Sequence, residues 1–194
     1  MKKREFLGAA ALGAFIAPVA LHAQQVPKSI KGPAVLTVSG LIGKGNRGAL
    51  DPALDQMMVK HKAKFDKAHA FDFAALTAMP AVTIKPTIEY DAKVHTLKGP
   101  LLNDVIRATG APDGSRLLMR AVDGYTVVLT MEEAQKYRFI VATHFDGQPM
   151  PLGGLGPLFA VYEADKFPDM MAKPLAERFS LCPWGLYHIE VQKI

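Results

Sequence analysis

Between one apolar stretch ending near His144 and another beginning at Leu158, the chain reads Asp-Gly-Gln-Pro-Met-Pro-Leu-Gly-Gly-Leu-Gly-Pro over residues 146–157. Glycines in such a loop let backbone N–H groups approach an anion or a flat ring that a side chain would hold away. Gly153, Gly154 and Gly156 are therefore candidate ligand contacts. The plainer reading is that they only shape a tight loop, because the pattern is neither a P-loop nor a dinucleotide fingerprint. Other chemistry is thinly represented. His61, His69 and His95 lack the spacing of a metal cluster and Cys182 has no second thiolate beside it, so no metal site is expected. No nucleophile elbow, Ser-His-Asp order or paired-carboxylate spacing stands out, which argues against covalent hydrolysis.

The elements that must position the loop follow from hydrophobic period and turn residues. Ala34 to Ile42 alternates as a first strand, with Gly43, Gly45 and Gly48 after it. Asp51 followed by Pro52 reads as an N-cap and first helical position. Leu54, Met57, Met58 and Phe65 then predict a helix over 51–67 whose opposite face carries Lys60, Lys62, Lys64 and Lys67. That lysine face is a solvated surface on the simpler reading and a docking face for an acidic domain or anionic lipid on the other. A polar break near 67–69 and a short helix at 73–78 follow. "AVTIKPTIEY" is strand-like with Pro86 marking an edge or bulge, and "GPLLNDVIRATGA" is a short helix closed by Gly110. Five further strand candidates lie in "SRLLMRAV", "YTVVLT", "RFIVATHF", "LFAVYEA" and "WGLYHIEVQKI", spaced in part by Asp-Gly turns at 123–124 and 146–147. Mostly strands with helices inserted early gives an α+β, β-rich mixed fold.

Residues 1–23 carry a basic head (Lys2, Lys3, Arg4), an apolar run and a small Ala23, the layout of a cleaved export signal. The run is short for a membrane span, which needs roughly 20 apolar residues. "KREFL" also resembles a twin-arginine signal with Lys3 in place of the first arginine. Cleavage after Ala23 takes the formal charge from +5 to +3. So mild a charge does not suggest nucleic-acid binding, and it suits an anionic small ligand or a membrane surface. Residues 24–33 read as a disordered linker and 34–194 as one domain, exported to the periplasm.

"LKGPLLNDVIRATGAP", "RAVDGYTVVLTMEEA", "IVATHFDGQPMPLGGLGPLFAVYE" and "WGLYHIEV" together resemble the oxidoreductase molybdopterin-binding domain found in sulfite oxidases and plant nitrate reductases, over roughly Leu36 to Val191. The resemblance implies the sulfite-oxidase fold. In the family's enzymes a cysteine thiolate ahead of the "GPLL" helix binds molybdenum. The matching segment here, Ile84 to Gly99, has no cysteine, and Leu158 and Phe159 stand where enzyme members carry a basic residue. The expectation is therefore against molybdenum catalysis.

The chain resembles instead a short, exported, cysteine-less branch, with Tyr90 at a position that branch gives to tryptophan. That branch implies binding of a free pterin in the periplasm and a report to an inner-membrane signalling protein, such as a cyclic-di-GMP enzyme with a periplasmic domain. A pterin needs an aromatic face and a few fixed polar groups. Tyr90, Tyr125 and Trp184 are candidate faces; Asp123, His144 and the amides near Gly154 and Gly156 are candidate edge partners. Each has a plainer reading: Trp184 as core packing, Tyr125 as strand cover, Asp123 as the turn former, His144 as a structural histidine. The alternatives to a binding module are a molybdopterin-dependent oxidoreductase, with Cys182 assisting the metal, and a scaffold that uses only its surface.

Overall fold

The structure is a computed structural model and describes residues 30–194. The expected export signal and most of the expected linker lie outside them. The end of that linker is tied down: the Lys31 and Gly32 N–H groups donate to Asp72 Oδ2 at 3.0 and 2.9 Å. No helix among the described residues is long and apolar enough to cross a membrane.

The fold is mixed α+β, as the order of elements suggested. Strands β1 (Ala34–Gly40), β2 (Ala68–Asp72), β5 (Arg116–Ala121), β6 (Thr126–Thr130) and β11 (Leu186–Gln192) form one sheet in the order β2-β1-β11-β5-β6. Only β1 and β11 run parallel within it. A second sheet orders β3 (Ala81–Ile84), β4 (Leu97–Pro100), β8 (His144–Phe145) and β9 (Gln148–Pro149), and β7 (Ile140–Ala142) pairs with β10 (Phe159–Val161). Pro86 follows the edge strand β3, where a missing N–H leaves no ladder bond unmade.

Period-2 alternation sorts the five-stranded sheet into two unlike faces. Leu36, Val38, Leu117, Met119, Leu129, Ile189 and Val191 are buried on one, in the main core. The opposite face carries Thr37, Ser39, Arg120 and His188, all buried, and Glu190. His188 is fully buried; Arg120 Nη1 lies 3.0 Å from its Nδ1 and Ser39 Oγ lies 2.8 Å from its Nε2. Because a guanidinium only donates, Nδ1 must accept, so Nε2 carries the proton and donates to Ser39. The serine is thereby a hydrogen-bond acceptor rather than an activated nucleophile. Arg120 also pairs with Glu190 at 2.9 Å. Burial first, and Arg120 second, lower the His188 pKa to about 4.

The segment covering this polar face departs from the expected long helix. Asp51 accepts from the Ala53 and Leu54 N–H groups, but this closes a turn rather than capping a helix: α1 is only Gln56–Lys60, its N-cap position is Asp55, and Pro52 lies outside it. Lys62 takes φ 59°, which turns the chain out of the helix. Phe65 then packs 6.1 Å from the His188 ring and under Arg47 at 5.4 Å. Leu54 is 82% exposed and only Met58 of the helix is buried, so Lys60, Lys62, Lys64 and Lys67 do not share one helical face. The expected break at 67–69 is the start of β2, while α2 (Phe73–Thr77) forms where expected, with the Asp72 side chain accepting from the Ala75 N–H.

Elsewhere the expected segments hold with trimmed ends. Helix α3 is Leu102–Ala108, and Gly110 beyond it has φ 72°. The "RFIVATHF" segment splits into β7 and β8, and both Asp-Gly pairs turn a hairpin. Helix α4 (Met131–Lys136) was not anticipated from its period, though Thr130 and Glu133 form a full capping box at its start. The short α5 (Pro168–Met171) precedes the segment that leads into β11.

Candidate functional site

Between β3 and β4 the chain makes a long excursion with a tight tip. The Ile88 N–H bonds the Lys93 carbonyl, Ala92 takes φ 55°, and Thr87 bridges Val94, which places Glu89 and Tyr90 at the apex. The base of the excursion is held from the side by the Thr87 N–H donating to Asp165 Oδ2 at 2.7 Å. His95 anchors its return limb, bonding Asp91 at 3.0 Å and Asp146 at 2.7 Å. The Asp123–Gly124 turn of the β5–β6 hairpin supplies a second wall. There Asp123 Oδ1 accepts from the Tyr125 N–H at 2.8 Å, the bond that makes the turn.

The third wall is the run that enters β11. Ala176, Phe179, Ser180, Cys182 and Trp184 close a cleft of about 320 Å³ with Glu89, Tyr90, Asp123 and Tyr125. The Tyr125 hydroxyl donates to the Ser180 carbonyl at 2.7 Å and so ties the hairpin turn to this run. The structure thus brings Tyr90, Asp123, Tyr125 and Trp184 together, from three separate parts of the sequence. Tyr90 is 59% exposed and Tyr125 46% exposed, so both rings present area to solvent. Burial raises the Tyr90 hydroxyl above its ordinary value; the Glu89 carboxylate adds to this and the Trp184 indole, donating to it, opposes.

The glycine loop does not line this cleft. Gly153 and Gly154 are exposed, and a Cβ at Gly153 would meet nothing within 4 Å. The loop borders a different, apolar hollow formed by Phe145, Gln148, Pro149, Met150, Pro151 and Leu155. Gly156 is explained by packing, since a Cβ there would lie 2.4 Å from the Met150 carbonyl oxygen. What the loop does for the cleft is indirect. The Gly185 N–H bonds the Leu155 carbonyl, Ala160 bonds Pro183, and Phe159 bridges Trp184, so residues 155–160 form a backing strip behind Trp184. His144 also stands apart: in β8 its Nδ1 lies 2.9 Å from Thr143 Oγ1 and its ring 5.7 Å from Phe73.

Sequence reasoning missed Glu89, Ala176, Phe179 and Ser180 as cleft residues and set Cys182 apart from the Tyr90 segment. The structure puts Cys182 in the same cleft as Tyr90. Its only sequence signal was adjacency to Trp184 in "SLCPWG". The thiol is buried, at 4% residue exposure, and burial pushes it well above its ordinary pKa. Among the described residues, no group of three or more His, Cys, Asp or Glu is placed to hold a metal ion.

No protein-family profile matches the chain, and no curated protein matches it. Among solved structures, the chain is similar to sulfane dehydrogenase SoxCD from Paracoccus pantotrophus, with a TM-score of 0.52 and 13% sequence identity. The match covers 82% of this chain and 38% of that one. At that identity the likeness is one of fold. It shows a shared mixed α+β architecture and extends over less than half of the longer protein.

Proposed function

We propose that the chain is a binding module for a small, flat, pterin-type heteroaromatic. The observation that carries this reading is the convergence of Tyr90, Tyr125 and Trp184 with the carboxylates of Glu89 and Asp123 in one cleft. Aromatic faces take the ring, and carboxylates take an edge of N–H donors in charge-assisted pairs. A cleft of about 320 Å³ lies at the lower end of small-molecule sites, which run to roughly 1,000 Å³. The sequence resemblance supports the same ligand class, while the likeness to a solved structure is one of fold alone.

The group that the fold would suggest, a molybdenum-bearing molybdopterin, does not fit the residues present. The thiolate is the metal ligand, and burial holds Cys182 as a protonated thiol. Among the described residues, the lining has no lysine, arginine or histidine to meet an anionic cofactor. On the proposed reading the protein works in the periplasm, as its basic-then-apolar start suggests, and passes occupancy to an inner-membrane signalling protein. For that, the ligand must alter affinity for the partner, since equal binding to both states shifts nothing.

The second reading, an oxidoreductase, draws on one observation, the presence of Cys182 in the cleft. The deciding experiment is to purify the processed protein from its native compartment, denature it, and assay the released material by mass spectrometry and for molybdenum. A metal-free pterin supports the binding module. Stoichiometric molybdenum that is lost in Cys182→Ser overturns it in favour of the enzyme. In the binding module, Tyr90→Ala weakens pterin affinity by about 1 kcal/mol, roughly fivefold in Kd; an unchanged Kd removes Tyr90 from the site.

A further inference from the structure

The signs of the charges around the cleft go further than its shape. Among the described residues, Glu89 and Asp123 are the only carboxylates in the lining, and no cationic side chain stands beside them there. Glu89 makes no salt bridge among the described residues. Asp123 commits one oxygen to the Tyr125 N–H, a bond that leaves its charge in place. The guanidinium nearest in sequence, Arg178, is turned to other partners: it lies 3.6 Å from Asp165, and its Nε donates to the Lys173 carbonyl at 3.0 Å. Glu89 also helps to hold the Tyr90 hydroxyl protonated. The cleft is a negative box with aromatic walls.

We propose that this cleft discriminates by charge: it accepts an uncharged or cationic ring with an N–H-rich edge and rejects the same ring bearing a phosphate. A phosphate monoester carries about −1.5 to −2 charges at neutral pH and would enter beside two carboxylates with no counter-cation. An amino-substituted ring edge instead offers N–H donors to Glu89 or Asp123, and any positive charge it gains is favoured over the faces of Tyr90, Tyr125 and Trp184. Phosphorylated molybdopterin is thereby disfavoured by charge, separately from the lack of a thiolate to hold its metal. The inference rests on the pterin reading and makes it narrower: the ligand is a dephosphorylated or never-phosphorylated pterin, or a cationic heteroaromatic of the same shape.

The test is calorimetric titration of the processed full chain with 6-hydroxymethylpterin and with its monophosphate ester, at low and at high salt. The expected result is that the uncharged compound binds and the ester binds about tenfold or more weakly, with the gap shrinking as salt rises. The double variant Glu89→Gln, Asp123→Asn removes both charges and keeps the turn, because asparagine makes the same side-chain bond to the backbone. It should bring the two affinities together. Equal or tighter binding of the ester by the natural chain overturns the charge inference and leaves the pterin reading standing. A gap that persists unchanged at high salt also overturns it, whether or not the double variant folds. Binding of neither compound overturns the pterin reading and this inference with it.

Discussion

His188 makes the native state refuse a proton that the unfolded chain accepts, and this should dominate the protein's response to mild acid. The unfolded side chain titrates near 6.5, whereas burial against Arg120 lowers the folded value to about 4. Stability rises with pH wherever the unfolded state holds more protons, so the contribution is complete above 6.5 and is lost as pH falls toward 4. At about 1.4 kcal/mol per pH unit, the full interval removes roughly 3 kcal/mol. For a domain whose total stability is of the order of 5–15 kcal/mol, that is a large share. Urea unfolding followed by circular dichroism at pH 7.5, 6.5, 5.5 and 4.5 should show the midpoint fall steadily below 6.5. His188→Gln, which cannot titrate there, should be less stable at neutral pH and show a clearly shallower slope over the same window, the remainder coming from groups such as His69, whose pKa burial also lowers. If the natural chain is flat from 6.5 to 4.5, or if His188→Gln keeps the natural slope, the buried neutral histidine is not the cause.

Other expectations follow from single contacts. Gly99→Ala should destabilise by about 3 kcal/mol in the same urea assay, because its Cβ would fall 1.9 Å from the Val141 carbonyl oxygen, a backbone atom with no room to retreat; an unchanged midpoint would show that β4 and β7 sit further apart. Cys182 should resist iodoacetamide in the native protein at pH 8 and react only as the chain unfolds, since burial keeps the thiol protonated and covered; equal rates in both states would refute that. His95 behaves oppositely to His188. Its bonds to Asp146 first and Asp91 second raise its pKa, so its contribution is full below 6.5 and disappears as pH rises through the folded value. His95→Gln should therefore lower the melting temperature at pH 6 and leave it unchanged at pH 9; an equal loss at both would point to packing on Phe145 instead.

The residues that were legible in the sequence were those whose partners are close by. The β5–β6 hairpin followed from two alternating runs around Asp123–Gly124, and α2 from a local apolar period. The 51–67 region was misread because its apolar spacing suited a helix, while the tertiary partners of Phe65, namely His188 and Arg47, draw it into an extended path. The site shows the same division. Tyr90, Tyr125, Asp123 and Trp184 were visible as residue types, but the wall that joins them is 176–184, whose packing depends on a long-range bond such as Tyr125 to Ser180. The glycine loop was conspicuous in the sequence for a local reason, the fit of Gly156 against Met150, and its role behind Trp184 is legible only once β10 and β11 are side by side.

The placement of β11 also bears on how the sheet assembles. It follows the other four strands of its sheet in sequence, and it lies at the centre of that sheet between β1 and β5. Until it arrives, the β1–β2 and β5–β6 hairpins are two separate ribbons, each with an open edge and an apolar face. Joining them takes two pairings of high sequence separation, β11 to β1 and β11 to β5, which slows the assembly of this sheet. Before β11 inserts, the edges of β1 and β5 are open to pairing with another chain, so the centre of the finished sheet is the most exposed part of the unfinished one.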